Sequence, residues 1–190
     1  MHTAEKQSVL LIFCIVIIFT ACGASSVIST EAVESVYLTD KNFCISGIEW
    51  GMSPDELNAS IPLVQFPAGS ETEDYMNAKR VYFTPEAGSG TLILAGTQYA
   101  VIPLYEFEYG CLINVSYTLA DDTTTRLDWK GMLMELENAF GEYKEAVVQP
   151  PSGEKIQQYN WTKAGSKFTF TLTFDDTQLI SAGVNVMKTD

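Results

Sequence analysis

The sequence contains a single histidine, His2, at the very start of the chain. Catalytic serine and cysteine nucleophiles commonly depend on a histidine base, and imidazole is a frequent metal ligand. The segment that carries His2 has the pattern of an export signal, described below, and no histidine follows it. The sequence therefore excludes Ser-His-Asp sites, Cys-His sites and histidine-ligated metal sites from the mature protein.

Basic residues are also scarce, with 11 Lys and Arg against 24 Asp and Glu and a net charge of −13. Without residues 1–21 the counts are ten and 23, so the charge is unchanged. The sequence has no cluster of Lys or Arg. A surface with this negative charge repels the phosphate backbones of nucleic acids. The composition argues against nucleic acid as a partner and favours cationic partners or metal ions.

Long hydrophobic runs are absent apart from residues 9–19, which are eleven consecutive apolar residues. A membrane-spanning helix needs about 20 such residues, so this run is typical of a signal peptide. The next residues, Phe-Thr-Ala-Cys over positions 19–22, resemble the lipobox of bacterial lipoproteins, with Phe19 where leucine is usual. We therefore predict a lipid attached to Cys22. Two alternatives remain, a secretory peptide cleaved near Ala24 and a retained membrane helix.

Composition along the chain predicts three segments. Residues 1–21 form the signal peptide, and residues 22–40, rich in Ser, Ala, Thr and Glu, are predicted to be a flexible tether. Residues 41–190 form the predicted folded domain. The mature chain would have 169 residues, enough for one domain with a sizeable core.

The cysteines allow little redox chemistry. Of the four in the sequence, Cys14 is discarded with the signal and Cys22 is consumed by lipid, which leaves Cys44 and Cys111. Export permits a disulfide between these two, and a pair of buried free thiols is the alternative. No Cys-x-x-Cys motif is present, so neither a redox pair nor a cysteine-based zinc site is indicated.

Two helices and seven strands are predicted. Ser53 and Glu56 form a capping box with Pro54 at the first helical position, and Pro62 ends this helix. Apolar residues at helical spacing between Trp129 and Phe140 indicate the second helix. Alternating patterns predict strands over residues 80–84, 91–95, 99–109, 111–119, 156–162, 167–174 and 179–187.

This order predicts an α+β fold, an antiparallel sheet with two helices on one face. The succession of a helix, several strands, a helix and several more strands also suggests two helix-plus-strands repeats.

Carboxylates are the remaining candidates for chemistry. Glu106 and Glu108 alternate on one strand face, about 7 Å apart by strand geometry. Such a pair could serve a glycosidase, but a solvated strand face is the favoured interpretation. Asp121-Asp122 and Asp175-Asp176 lack calcium-loop spacing and are read as hairpin turns. A loop with Glu71, Glu73 and Asp74 offers a further metal candidate. Three tryptophans could line a groove: Trp50, Trp129 and Trp161.

Residues 48–57 read Ile-Glu-Trp-Gly-Met-Ser-Pro-Asp-Glu-Leu. This resembles the Ile-x-Trp-Gly-Met-Ser-x-x-Glu-Val/Leu opening of many uncharacterised bacterial lipoproteins. It is similar to the start of small envelope lipoproteins of the BamE/SmpA type and of β-lactamase-inhibitor-like domains. The resemblance implies a noncatalytic α+β module of the envelope and carries over no binding residues.

These observations predict a lipoprotein anchored outside the cell to the bacterial membrane through Cys22. Its domain is expected to bind an envelope protein or a small ligand, without a cofactor and without catalysis. The alternative is a carboxylate-based hydrolase that acts on cell-wall or dietary glycans.

Overall fold

The computed structural model describes residues 32–66 and 78–189. Within these ranges the chain forms eleven strands and three helices. The strands are β1 (Ala32–Leu38), β2 (Phe43–Ile45), β3 (Leu63–Phe66), β4 (Val81–Pro85), β5 (Gly90–Leu94), β6 (Thr97–Glu108), β7 (Cys111–Leu119), β8 (Lys144–Val148), β9 (Lys155–Thr162), β10 (Ser166–Asp175) and β11 (Gln178–Lys188). The helices are α1 (Pro54–Asn58), α2 (Asp121–Thr124) and α3 (Trp129–Phe140).

All eleven strands belong to one sheet. Its main path runs β2-β1-β5-β6-β7-β11-β10-β9-β8. The pairs are antiparallel except that β1 and β5 are parallel. The long strand β6 pairs along one edge with β5 through its first half and with β4 through its second half, and β3 pairs with β4. The sheet is therefore mixed, and it branches at β6.

The α+β prediction is wrong, because the described chain is mainly β. Strands account for 55% of it and helices for 14%. Two strands precede α1, and α1 has only five residues, so two equivalent helix-plus-strands repeats are not present. The antiparallel prediction fails at β1, which joins the sheet through a parallel pairing.

The predicted tether also needs correction. Residues 32–38, assigned to it because of their Ser and Glu content, form β1 inside the sheet, between β2 and β5. Ala32, Glu34 and Val36 alternate as buried residues along this strand. The folded domain therefore includes residues on the N-terminal side of position 41, and only residues 22–31 of the predicted tether lie outside the described chain.

The sheet is curled into a half-barrel, and the core, which is strongly aromatic, lies on its inner face. Phe140 at the end of α3 packs its ring 5.1 Å from that of Phe168 in β10, 5.1 Å from Phe43 in β2 and 6.2 Å from Trp161 in β9. The indole nitrogen of Trp161 donates a hydrogen bond of 2.7 Å to the carbonyl of Gly141, just past the helix. These contacts fix α3 against the inner face, so Trp161 is a core residue.

Curling brings strands that are distant along the path into contact. The backbone N–H of Phe43 in β2 donates to the hydroxyl of Ser166 in β10, at 2.6 Å. Both residues are completely buried, and the rings of Phe43 and Phe168 lie 5.5 Å apart. The first part of the chain thus closes the core against one of its last strands.

The decapeptide 48–57 has a structural role. The predicted capping box is confirmed: the Ser53 hydroxyl accepts from the Glu56 N–H at 3.3 Å, and the Glu56 carboxylate accepts from the Ser53 N–H at 2.8 Å. The backbone N–H and the hydroxyl of Ser53 both donate to the Glu56 carboxylate, and these two bonds lower its pKa. Gly51 donates to the Leu112 carbonyl, and the Leu112 N–H donates to Met52, which attaches the turn to β7. The motif therefore positions a turn and a helix.

Candidate functional site

Glu34 is the carboxylate with the most unusual surroundings among the described residues. It lies on β1 with its side chain on the inner face, between the buried residues Ala32 and Val36, and it is 2% exposed. Buried carboxylates are rare unless they are paired with a cation. No described Lys or Arg forms an ion pair with Glu34, since the ion pairs in this part of the chain involve only Arg80.

Two tyrosines face the Glu34 carboxyl from neighbouring strands. The hydroxyl of Tyr105 in β6 donates a hydrogen bond of 3.1 Å to Glu34 Oε1. Tyr117 in β7 is fully buried, and its hydroxyl is turned toward the same carboxyl without a hydrogen bond of good geometry. Pro103 of β6 pairs with Tyr117, so the two tyrosines lie one inward-facing position apart on adjacent strands.

Burial determines the protonation of this cluster. It raises the pKa of Glu34 from 4.5 to about 7, and the two tyrosine hydroxyls oppose the rise only in part. The pKa values of Tyr105 and Tyr117 are raised above 10, first by burial and then by the neighbouring Glu34 charge. Near neutral pH the carboxyl can therefore be a neutral hydrogen-bond donor or a carboxylate, while both tyrosines stay protonated.

Glu34 borders a half-enclosed cavity of about 330 Å³, which we call the Glu34 cavity. Small-molecule sites commonly begin near this volume. Ser46 and Ser60 supply hydroxyl groups around this cavity. Its apolar walls come from Ala32, Val33 and Ile61, and Gly47 completes the lining.

Local structure holds the two hydroxyl groups in place. Gly47 adopts a φ of 74°, which makes the sharp turn after β2 that exposes Ser46 to the cavity. The Ser46 hydroxyl accepts a hydrogen bond of 2.8 Å from the backbone N–H of Ser35. The Ser60 hydroxyl, just beyond α1, donates to the Leu57 carbonyl at 3.0 Å. Each oxygen keeps a lone pair that a ligand donor could use.

A second cavity, of about 390 Å³, lies between the β5–β6 turn and α3. Its three acidic residues, Asp122, Asp128 and Glu135, are exposed. Asp128 is already engaged as the N-cap of α3, where it accepts from the Gly131 N–H at 3.1 Å. This cavity thus lacks the buried and uncompensated group that marks the Glu34 cavity.

The predicted carboxylate pair has a different setting. Glu106 and Glu108 lie on the outer face of β6, and both interact with Arg80, at 3.1 Å and 3.9 Å. The second oxygen of Glu106 accepts from the Asn114 amide at 3.0 Å. The pair belongs to a polar network on the outer face of the sheet, where an arginine holds the two carboxylates.

The other predicted acidic sites divide into three cases. Asp175-Asp176 is confirmed as a hairpin turn between β10 and β11, with a φ of 53° at Asp176. Asp121-Asp122 starts the short helix α2 and is not a hairpin turn. Glu71, Glu73 and Asp74 lie outside the described residues. Within residues 32–66 and 78–189, no group of three or more His, Cys, Asp or Glu is arranged to hold a metal ion.

The structure describes only two of the cysteines for which predictions were made, Cys44 and Cys111. Cys22 and the predicted signal peptide lie outside the described residues. Cys44 is half-buried in β2 and Cys111 is exposed at the start of β7, and both are free thiols in this structure. The structure thus contains neither a disulfide between the two cysteines nor the pair of buried thiols that the alternative predicts.

No helix in the described part of the chain is both long and apolar enough to cross a membrane.

Sequence reasoning missed Glu34, because residues 22–40 were treated as one tether. Residues 32–38 carry no alternating hydrophobic pattern that could have revealed the strand, since Glu34 lies on the buried face while Val33 and Tyr37 are exposed. Comparison of the whole chain with protein-family models, with curated proteins and with solved structures gave no match.

Proposed function

We propose that this chain is a lipoprotein anchored to the bacterial cell membrane through Cys22, whose β domain binds a small ligand in the Glu34 cavity without transforming it. One observation carries the binding function. Glu34, a glutamate that is 2% exposed and has no cationic partner among the described residues, borders a cavity large enough for a small molecule.

Burying an ionisable group that lacks a charged partner costs stability, so such groups concentrate at functional sites. The lipobox-like residues 19–22 and the resemblance of residues 48–57 to lipoprotein openings support the envelope location. The acidic pair on the outer face does not favour a glycosidase, because Arg80 binds both carboxylates.

The anchor is tested by a Cys22→Ala variant expressed in a bacterium that processes lipoproteins. We expect the wild type to incorporate labelled palmitate and to fractionate with membranes. The variant should lose the label and shift to the soluble fraction, because stable anchoring depends on acyl chains buried at about 0.8 kcal/mol per CH₂. A Cys14→Ala variant, changed within the signal peptide, should behave like the wild type. Unchanged detergent partitioning of the Cys22 variant would overturn the anchor.

The binding function is tested by an NMR fragment screen on the full chain in detergent. Ser60 is exposed and borders the Glu34 cavity, so Ser60→Phe should cover the opening without disturbing the core. We expect hits whose shift changes cluster at the cavity and whose affinities fall at least tenfold in this variant. The matched control, Ser89→Phe, changes an exposed serine in the β4–β5 turn and should bind like the wild type. Hits scattered over the surface and indifferent to Ser60→Phe would contradict the proposal.

A further inference from the structure

The hydrogen-bonding groups around the Glu34 cavity are mostly acceptors. Glu34, Ser46 and Ser60 border the same space, and each carries an oxygen that can accept a hydrogen bond. The proton of Ser60 is committed to the Leu57 carbonyl, and the Tyr105 proton is committed to Glu34 itself. When Glu34 is ionised, acceptors outnumber donors around this cavity, so a ligand with several donors matches it best.

The charge of ionised Glu34 also favours a ligand that carries hydrogen-bond donors. Ionising Glu34 leaves a buried negative charge that no Lys or Arg in residues 32–66 or 78–189 neutralises. A cation inside the cavity would supply the missing partner, and a primary ammonium group offers three N–H donors to the three acceptors. The net charge of −13 raises the local concentration of cations near the protein.

The remaining walls define the body of the ligand. Ala32, Val33 and Ile61 contribute aliphatic surface, and about 330 Å³ leaves room for a short chain or small ring. We propose that the Glu34 cavity binds a small molecule with a primary ammonium group on a short apolar body. This inference rests on the proposed function, because it names the ligand class of the same cavity.

Binding should depend on pH. The amine pairs with the carboxylate form of Glu34, and burial places the pKa of that carboxyl at about 7. The groups that face it, Tyr105 and Tyr117, have pKa values raised above 10 and keep their protons throughout this range. The affinity should therefore be highest at pH 8 and fall about tenfold for each pH unit below the carboxyl pKa.

The test compares three probes by calorimetry with the full chain in detergent at pH 8. These are n-butylammonium, butan-1-ol and butyrate, which share an apolar body and differ in the head group. We expect n-butylammonium to bind at least tenfold more tightly than butan-1-ol, and butyrate to bind most weakly. Glu34→Gln should abolish the preference for the ammonium probe. Glu86→Gln, an exposed carboxylate in the turn after β4, is the matched control and should keep it.

A second measurement needs no variant. The carboxyl carbon of Glu34 can be titrated by ¹³C NMR with and without n-butylammonium. A ligand that prefers the carboxylate lowers the apparent pKa by about one unit when its concentration is about ten times Kd.

The outcomes separate the two proposals. If butan-1-ol or butyrate binds as tightly as the ammonium probe and Ser60→Phe weakens both, the cavity is a binding site but the ammonium inference is overturned. If no probe binds, or if Glu34→Gln and Glu86→Gln act alike, the ammonium inference is also overturned. A fragment screen whose hits ignore Ser60→Phe removes the binding function as well.

Discussion

A Glu34→Gln variant is expected to be more stable than the wild type by about 3 kcal/mol at pH 8 and equally stable at pH 4. The pKa of Glu34 is raised in the folded protein from 4.5 to about 7. Each pKa unit corresponds to about 1.4 kcal/mol, and the folded state binds the proton more tightly than the unfolded state does. Glutamine has no charge to bury, and its amide oxygen can still accept the hydrogen bond from Tyr105.

The wild type is less stable at high pH because the pKa of Glu34 is raised, not lowered, by folding. Below pH 4.5 the carboxyl is protonated in both states, so burial imposes no ionisation penalty. Between pH 4.5 and about 7 the unfolded state releases the proton first, and the wild type loses stability as the pH rises. Above pH 7 the loss is complete and constant. Glutamine at position 34 removes this dependence.

Urea unfolding of both proteins between pH 4 and pH 8 measures the effect. The difference between the two free energies of unfolding isolates position 34 from the other acidic groups of the chain. Glu86→Gln should differ from the wild type by less than about 0.5 kcal/mol at either pH, because Glu86 is exposed. A pH-independent difference for Glu34→Gln would show that the carboxyl is not protonated on folding.

Phe140→Ala is expected to destabilise the domain by about 3–5 kcal/mol, the usual cost of removing a buried aromatic ring. The ring is 5% exposed and contacts Phe43, Phe168 and Trp161. Those partners come from β2, β10 and β9, so the cavity left behind would lie where the helix and three strands meet. Rigid strands around the gap cannot collapse to fill it.

Met134→Ala on the same helix provides the control. Met134 is 61% exposed, and its replacement should change the free energy of unfolding by less than about 0.5 kcal/mol. Urea denaturation at pH 6 would compare the three proteins. Equal losses in the two variants would mean that α3 contributes through helix propensity rather than through the packing of Phe140.

Much of the secondary structure could be predicted because its signals are local. The strand at Cys111–Leu119 was predicted with its observed bounds, since Val115, Tyr117 and Leu119, which are buried, alternate with Ser116 and Thr118 in the sequence. The N-cap of α1 and the helix at Trp129–Phe140 were confirmed for the same reason, since capping residues and helical spacing lie within a few positions of one another.

The missed strands are short, sit at sheet margins or carry polar residues. All five residues of β8 are exposed, so burial imposes no alternation on Lys144–Val148. Strand β2 has only three residues, too few for a period. The parallel pairing of β1 with β5 is decided by tertiary packing between segments far apart in the chain. Without these strands the two helices received too much weight, and the fold class was wrong.

The residues of the Glu34 cavity could not be predicted from the sequence either. Ser46 and Ser60 stand in turns where serine is common, and each looks ordinary in the sequence. Glu34 is unusual only after β1 is placed between β2 and β5 and its side chain meets Tyr105. Assembling such a cavity depends on tertiary placement, which residue patterns over short windows do not encode.

The closure between β2 and β10 has a kinetic consequence. Phe43 and Ser166, which share a hydrogen bond, are separated by 123 positions in the sequence. Contacts of such long range carry a large loop-closure entropy and form slowly. A nascent chain cannot complete its core until β10 has been synthesised, so most of the polypeptide leaves the ribosome before the native packing can form. Slow closure of this kind keeps a chain unfolded for longer, and an unfolded chain is the form that can be threaded through a narrow translocation channel.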